Sequence, residues 1–218
     1  MPRPAPDVTP ESVKRDLTEA QLQAHLSAPA VAVDTETMGL NLHRDRLCVV
    51  QLCDASGRAS LVQIEKEQLA LPLAERAPRL KLLLEDRRVL KVMHFARFDV
   101  AAVSRYLGIE VAPIFCTRTA SKLVRTYTDR HGLKDNLLEL LDVELDKVTR
   151  HTDWSSPELS KEQVRYAISD VTMLIPLMEK LNVMLDRAGR RALAEECFRA
   201  IPLMATLDLL EFDLLFEH

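Results

Sequence analysis

The apolar positions of this chain change period several times, and each change marks an element. Residues 30–36, AVAVDTE, are apolar or small up to Asp34 and read as a buried strand that ends in two acids. RLCVVQLCD (46–54) is a mostly apolar run, and ASLVQI (59–64) follows after a short ASG link, so the two are expected to form an antiparallel hairpin. PRLKLLLEDRRV (78–89) has helical spacing and precedes a strand, LKVMH (90–94). RFDVAAVSRYLGI (97–109) returns to helical spacing and stops at Gly108. The second half is expected to be mainly helical: TRTASKLVRTY (117–127), LKDNLLELLDV (133–143), then a long helix from Ser160 toward Gly189. Pro176 predicts a kink or break near the middle of that helix. Two capping boxes, Thr18 with Gln21 and Ser160 with Gln163, mark helix starts by matching otherwise orphaned N–H groups.

Composition narrows the class. Of 218 residues, 47% are apolar, enough to close a core without disulfide or metal staples. The first ten residues, MPRPAPDVTP, hold four prolines and read as an extended arm, so the expected organisation is an arm at 1–17 and one α/β domain at 18–218. Four cysteines (Cys48, Cys53, Cys116, Cys197) show no CxxC pair and no zinc spacing with histidine, which suits reduced core thiols. With no signal-like leader and no membrane-length apolar run, a soluble, cytoplasmic protein is expected. The net charge of −4 provides no global attraction to a nucleic-acid backbone, so any such contact must be local or the substrate small.

The acids carry the chemistry. Asp34 and Glu36, two apart on a strand, point to one face. Two like charges so close need a positive partner, and a divalent cation supplies it. Asp99, at the start of a helix, is by itself an ordinary N-terminal acid favoured by the helix dipole. Asp170 lies inside the long helix with Tyr166 one turn earlier, on a face shared with apolar neighbours, and an inward aspartate requires a partner. Four hard oxygen ligands suit two Mg²⁺ or Mn²⁺ ions rather than zinc. A carboxylate cluster without a nucleophilic triad points to two-metal phosphodiester hydrolysis.

The segments DTE (34–36), HFARFD (94–99) and YAISD (166–170) resemble the three motifs of the DEDD superfamily of 3′–5′ exonucleases, in its tyrosine-bearing DEDDy branch. The resemblance implies a ribonuclease H-like fold with a mixed central sheet flanked by helices. It also implies that Asp34, Glu36, Asp99 and Asp170 are metal ligands and that Tyr166 positions the attacking water. A free tyrosine has a pKa near ~10, so a neutral hydroxyl orienting water is expected there rather than a phenolate base.

Within that branch, DWSSPELSKEQVRYAISDV (153–171) looks like the ribonuclease D group. DTETMGL, RDRLCVVQL, FCTRTASKLVRTYTDRHGLKDNL and the ending ATLDLLEFDLLFEH resemble the compact nano-RNase C type. That type degrades very short RNAs, especially diribonucleotides, as a ring-shaped homo-octamer. The proline-rich arm and Ile168, where a small residue is usual, depart from its pattern.

Several residues are candidates for holding a short RNA. Met38 and Leu40 could wedge between two bases, with Gly39 allowing a tight turn beside them. His94 and Phe95 flank the second motif, where the 3′ nucleotide would lie. The basic stretch 118–134 offers Arg125, Arg130 or His131 to a 5′ phosphate, with a solvated helix face as the plainer reading. Trp154 reads as a packing anchor between helices. The apolar ending LLEFDLLFEH is expected to be covered, by its own domain or by another subunit. Trimming of longer RNA, action on single-stranded DNA, and a catalytically dead binding module are the competing functions.

Overall fold

The computed structural model describes residues 2–145, 153–212 and 215. In chain order these form strands β1 (Arg3–Pro4) and β2 (Glu11–Lys14), helix α1 (Glu19–Leu26), and strands β3 (Ala30–Thr37), β4 (Leu47–Asp54) and β5 (Ala59–Gln63). Helix α2 (Pro78–Glu85), β6 (Leu90–Met93), α3 (Ala96–Leu107) and β7 (Ile114–Cys116) follow. The rest is α4 (Thr117–Val124), α5 (Leu133–Leu141), β8 (Val143–Glu144), α6 (Lys161–Thr172), α7 (Leu174–Arg187) and α8 (Arg191–Leu209).

Six strands make one mixed sheet in the order β2-β5-β4-β3-β6-β7. The expected hairpin is present: β4 runs antiparallel to β5, and β3 runs antiparallel to β4. Across the rest of the sheet β6 lies parallel to β3, and β7 parallel to β6. All eight residues of β4 are buried, which requires cover on both of its faces. The α/β class and the mixed sheet flanked by helices therefore stand.

Helix ends follow local chemistry. Both capping boxes form, the Thr18 and Ser160 side chains accepting from the Gln21 and Gln163 N–H groups. α3 stops at Gly108, whose φ of 64° is the left-handed conformation that glycine adopts without a Cβ penalty. The long helix expected from Ser160 is broken at Met173. Pro176 lies in the first turn of α7, where its missing N–H would have had no partner, whereas an unbroken helix would drive its ring against the Thr172 carbonyl.

The structure departs from the sequence reading at one segment and adds one element. The proline-rich arm is not separate from the fold: β1 pairs with β8, and Glu11–Lys14 adds a parallel edge strand beside β5. Ladder pairing uses the backbone, so a mostly exposed ESVK segment can join an edge without an apolar period. The addition concerns the C-terminal region, where α8 lies beyond the elements assigned above. It packs on α3, and its buried set Ala194, Phe198, Ile201 and Ala205 has helical spacing. Phe198 meets Phe115 of β7 at a ring-centroid distance of 4.6 Å. Of the apolar ending, Leu210, Phe212 and Leu215 are exposed, and residues 213, 214 and 216–218 lie outside the described residues.

Candidate active site

The site forms at the C-terminal end of β3, where its pairing register with β4 shifts between Glu36 and Thr37. Asp34 and Glu36 project to the same face, and α6 packs across β3 and β4 carrying Asp170. Carboxylate oxygens of Asp34, Glu36 and Asp170 all lie within 4.8 Å of one another. Asp99, in the first turn of α3, comes from the other side of the strand. Its Oδ1 accepts a 2.6 Å hydrogen bond from the Thr35 hydroxyl, which points away from the Asp34 face.

Electrostatics tie the four together. Burial first, then the charges of Asp99, Asp170 and Glu36, hold the Asp34 carboxyl well above the usual carboxylate range. Burial, Asp170 and Asp99 push Glu36 to about 8. Asp99 is pushed to about 7, chiefly by burial, against the opposing Thr35 hydrogen bond. Among the described residues, the groups that raise these three are carboxylates rather than cations. A cluster of mutually repelling oxygen donors fits hard divalent cations such as Mg²⁺ or Mn²⁺.

Tyr166 stands one turn before Asp170 on α6, half-buried, with its ring centroid 6.1 Å from that of Trp154. Trp154 is itself buried, in keeping with a packing anchor rather than an open platform for a base.

The candidate substrate contacts divide. Met38 and Leu40 are 54% and 86% exposed just past Glu36, free to meet a ligand. At Gly39 a Cβ would fall 2.4 Å from Asp45 Oδ2, so any side chain there would have to displace the Asp45 carboxylate. Asp45 also accepts from the Asn41 N–H and pairs with Arg44, so the loop after the acids closes on this carboxylate. His94 Nδ1 lies 2.8 Å from Thr117 Oγ1, and burial with the nearby Arg118 charge lowers its pKa to about 4, so it is neutral at pH 7. Phe95 is exposed and holds φ of 64°, an uncommon conformation for an aromatic residue, with the Arg118 guanidinium 4.4 Å from its ring centroid.

Arg125 needs correction as a phosphate contact. Its side chain is fully buried, donating to Ser121 Oγ, the Arg130 carbonyl, Asn136 Oδ1 and the Glu139 carboxylate. Every one of its nitrogens is engaged inside the protein, so it shapes the 125–136 segment instead. Arg130 is exposed and paired with Asp135, while His131 Nδ1 is 2.9 Å from the same Ser121 hydroxyl. Thr35, Arg118 and Ser121 were absent from the sequence-level candidates. Thr35 sits between two acids, but only alternation along a strand hints that it faces a different helix.

Residues 11–186 match the 3′–5′ exonuclease family. Ribonuclease D from Acidiphilium cryptum is 36% identical over 191 residues, which is 86% of this chain and 46% of that protein. The chain thus spans about half the length of the curated relatives it matches. Among solved structures, Brucella melitensis NrnC aligns with a TM-score of 0.89 at 44% identity, covering 96% of this chain and 98% of that one. The same Brucella protein has also been solved bound to pGG and with bound Mg²⁺; each aligns at 45% identity and a TM-score of 0.84, over 93% of this chain and 94% of that one.

Proposed function

Because the chain belongs to the 3′–5′ exonuclease family, we propose that it is a 3′–5′ exoribonuclease that cleaves very short RNAs, especially diribonucleotides, to mononucleotides. The observation that carries the reading is the convergence of Asp34, Glu36 and Asp170, with Asp99 beside them, at the open end of β3. These four acids would hold two divalent cations. When bound, the ions supply a nucleophile at neutral pH and stabilise charge on the scissile phosphate and its leaving oxygen.

The protein's own residues do the rest. Tyr166, one turn from Asp170, directs its hydroxyl at the attacking water and orients it in line with the P–O3′ bond. The new bond joins the water oxygen to phosphorus, the P–O3′ bond breaks, and a proton lost by the attacking water is delivered through solvent to the departing 3′ oxygen. Met38 and Leu40 offer apolar surface to two bases, Phe95 and His94 flank the 3′ nucleotide, and Arg130 with His131 faces the 5′ end. Gly39 keeps the loop close to the acids. The pGG-bound relative supports a substrate of this size.

A homo-oligomer, an octamer by its likeness to nano-RNase C, is part of this reading. The exposed Leu210, Phe212 and Leu215 would be covered by a neighbouring subunit. No helix among the described residues is long and apolar enough to cross a membrane. The four free cysteines suit a reducing compartment, the cytoplasm.

The test is turnover on 5′-phosphorylated RNAs of two, three, seven and twenty nucleotides, with Asp34→Ala as control. The expected result is strong preference for the dinucleotide and no activity in the control. Equal rates at every length would favour ribonuclease D-like trimming, and activity in Asp34→Ala would remove the metal mechanism. Tyr166→Phe should lower kcat about 10²-fold while leaving cation binding intact.

A further inference from the structure

Gln51 is an amide inside β4, a strand with every residue buried. Its register partner on β3 is Asp34. Directly opposed residues of an antiparallel pair share a face, with Cβ atoms about 5 Å apart. α6 packs over both strands, and the Gln51 side chain is fully buried. Neither Nε2 nor Oε1 of that side chain has a hydrogen-bond partner among the described residues.

Such an arrangement is costly. A buried polar group left unmatched gives up its hydration with nothing in return, and most buried polar groups find a partner. A leucine would fill the place without that loss. A carboxylate has acceptor capacity beyond one cation, so Asp34 has room for an amide donor. On that face the register sets Gln51 directly beside it.

We propose that Gln51 is a positioning residue for the cation site, donating from Nε2 to the Asp34 carboxylate oxygen that faces away from a bound divalent cation. The inference rests on the cation-binding role of the acidic cluster. Carboxylates that ligate metals are themselves held by outer hydrogen bonds, and loss of such a partner commonly weakens metal affinity 10- to 100-fold. Gln51 touches neither substrate nor cation. It acts by fixing the orientation of Asp34.

The test compares the full chain with Gln51→Met, which keeps the volume and removes both amide groups. Mn²⁺ and Mg²⁺ binding is read by calorimetry and by the cation-induced rise in Tm. The expected result is an unchanged or higher Tm in chelator, with the cation Kd raised about 10- to 100-fold. Wild-type affinity in a folded Gln51→Met protein would overturn the proposal. A wild-type chain that binds neither cation would overturn the cluster's role as well, which separates the two failures. Should Gln51→Met not fold, the side-chain amide resonance of Gln51 in ¹⁵N-labelled wild-type protein decides. It is expected to move and saturate with cation binding, and a resonance that stays fixed refutes the hydrogen bond.

Discussion

The Thr35 hydroxyl donates a 2.6 Å hydrogen bond to Asp99 Oδ1, and so joins β3 to α3 at the point where the acids meet. Because neighbouring strand residues face opposite ways, β3 presents Asp34 and Glu36 on one side and secures Asp99 from the other. Thr35→Val keeps the shape and removes the donor. It should raise the Mn²⁺ concentration for half-maximal turnover about 10-fold or more, while Thr35→Ser retains most of the affinity. Cation titrations of turnover on one dinucleotide substrate measure both.

The acidic cluster should make the chelated protein less stable as pH rises. Glu36 and Asp99 titrate near 8 and 7 when folded, against about 4 in an unfolded chain. Between those limits the folded state holds more protons than the unfolded one, so stability is fully present below pH ~4 and declines up to about pH 8. Glu36→Gln removes part of that decline. In chelator at pH 8 its Tm should exceed that of wild type by a few degrees, at roughly 2–4 °C per kcal/mol for a chain of this size. Added Mn²⁺ should raise the wild-type Tm and not that of the variant. Calorimetric scans from pH 5 to 8.5 would show it, and a lower Tm for Glu36→Gln throughout would contradict the electrostatic account.

His94 has the opposite sign. Its folded pKa is about 4 against about 6.5 unfolded, so the unfolded chain takes up the proton first on acidification. The stability linked to neutral His94 is present above pH ~6.5 and is lost as pH falls toward 4, with an upper bound of roughly 3 kcal/mol. His94→Asn should flatten the acid limb of the stability curve in that window. Urea unfolding at pH 7, 6, 5 and 4.5 gives the slopes to compare.

Arg125 is expected to matter for stability rather than for recognition of a phosphate. Arg125→Met strands the Arg130 carbonyl and Asn136 Oδ1 and leaves Glu139, itself partly exposed, without its cation. A loss of about 2–3 kcal/mol follows, or a Tm lower by roughly 5–10 °C. Below that Tm, any rise in KM should be similar for dinucleotides with and without a 5′ phosphate. A rise confined to the phosphorylated substrate would return Arg125 to the binding site.

The acidic cluster was legible as a set of residue types before any fold was known. Two acids at alternate strand positions must share a face, and a tyrosine four residues before an aspartate must share a helix face with it, because both relations follow from local backbone geometry. The same locality made the capping boxes and the Pro176 break readable. What lay beyond the sequence were relations between distant segments. Arg125 looked like a surface base because its burial depends on Asn136 and Glu139 in the following helix. The edge strand at Glu11–Lys14 has no apolar period, since its pairing runs through the backbone. The unmatched amide of Gln51 gains its meaning only from the register that sets it against Asp34. Local periodicity thus determined which side chains travel together along the chain. Only the long-range packing of β3, β4, α3 and α6 decided which of them meet, because that choice is made by burial shared among segments far apart in sequence.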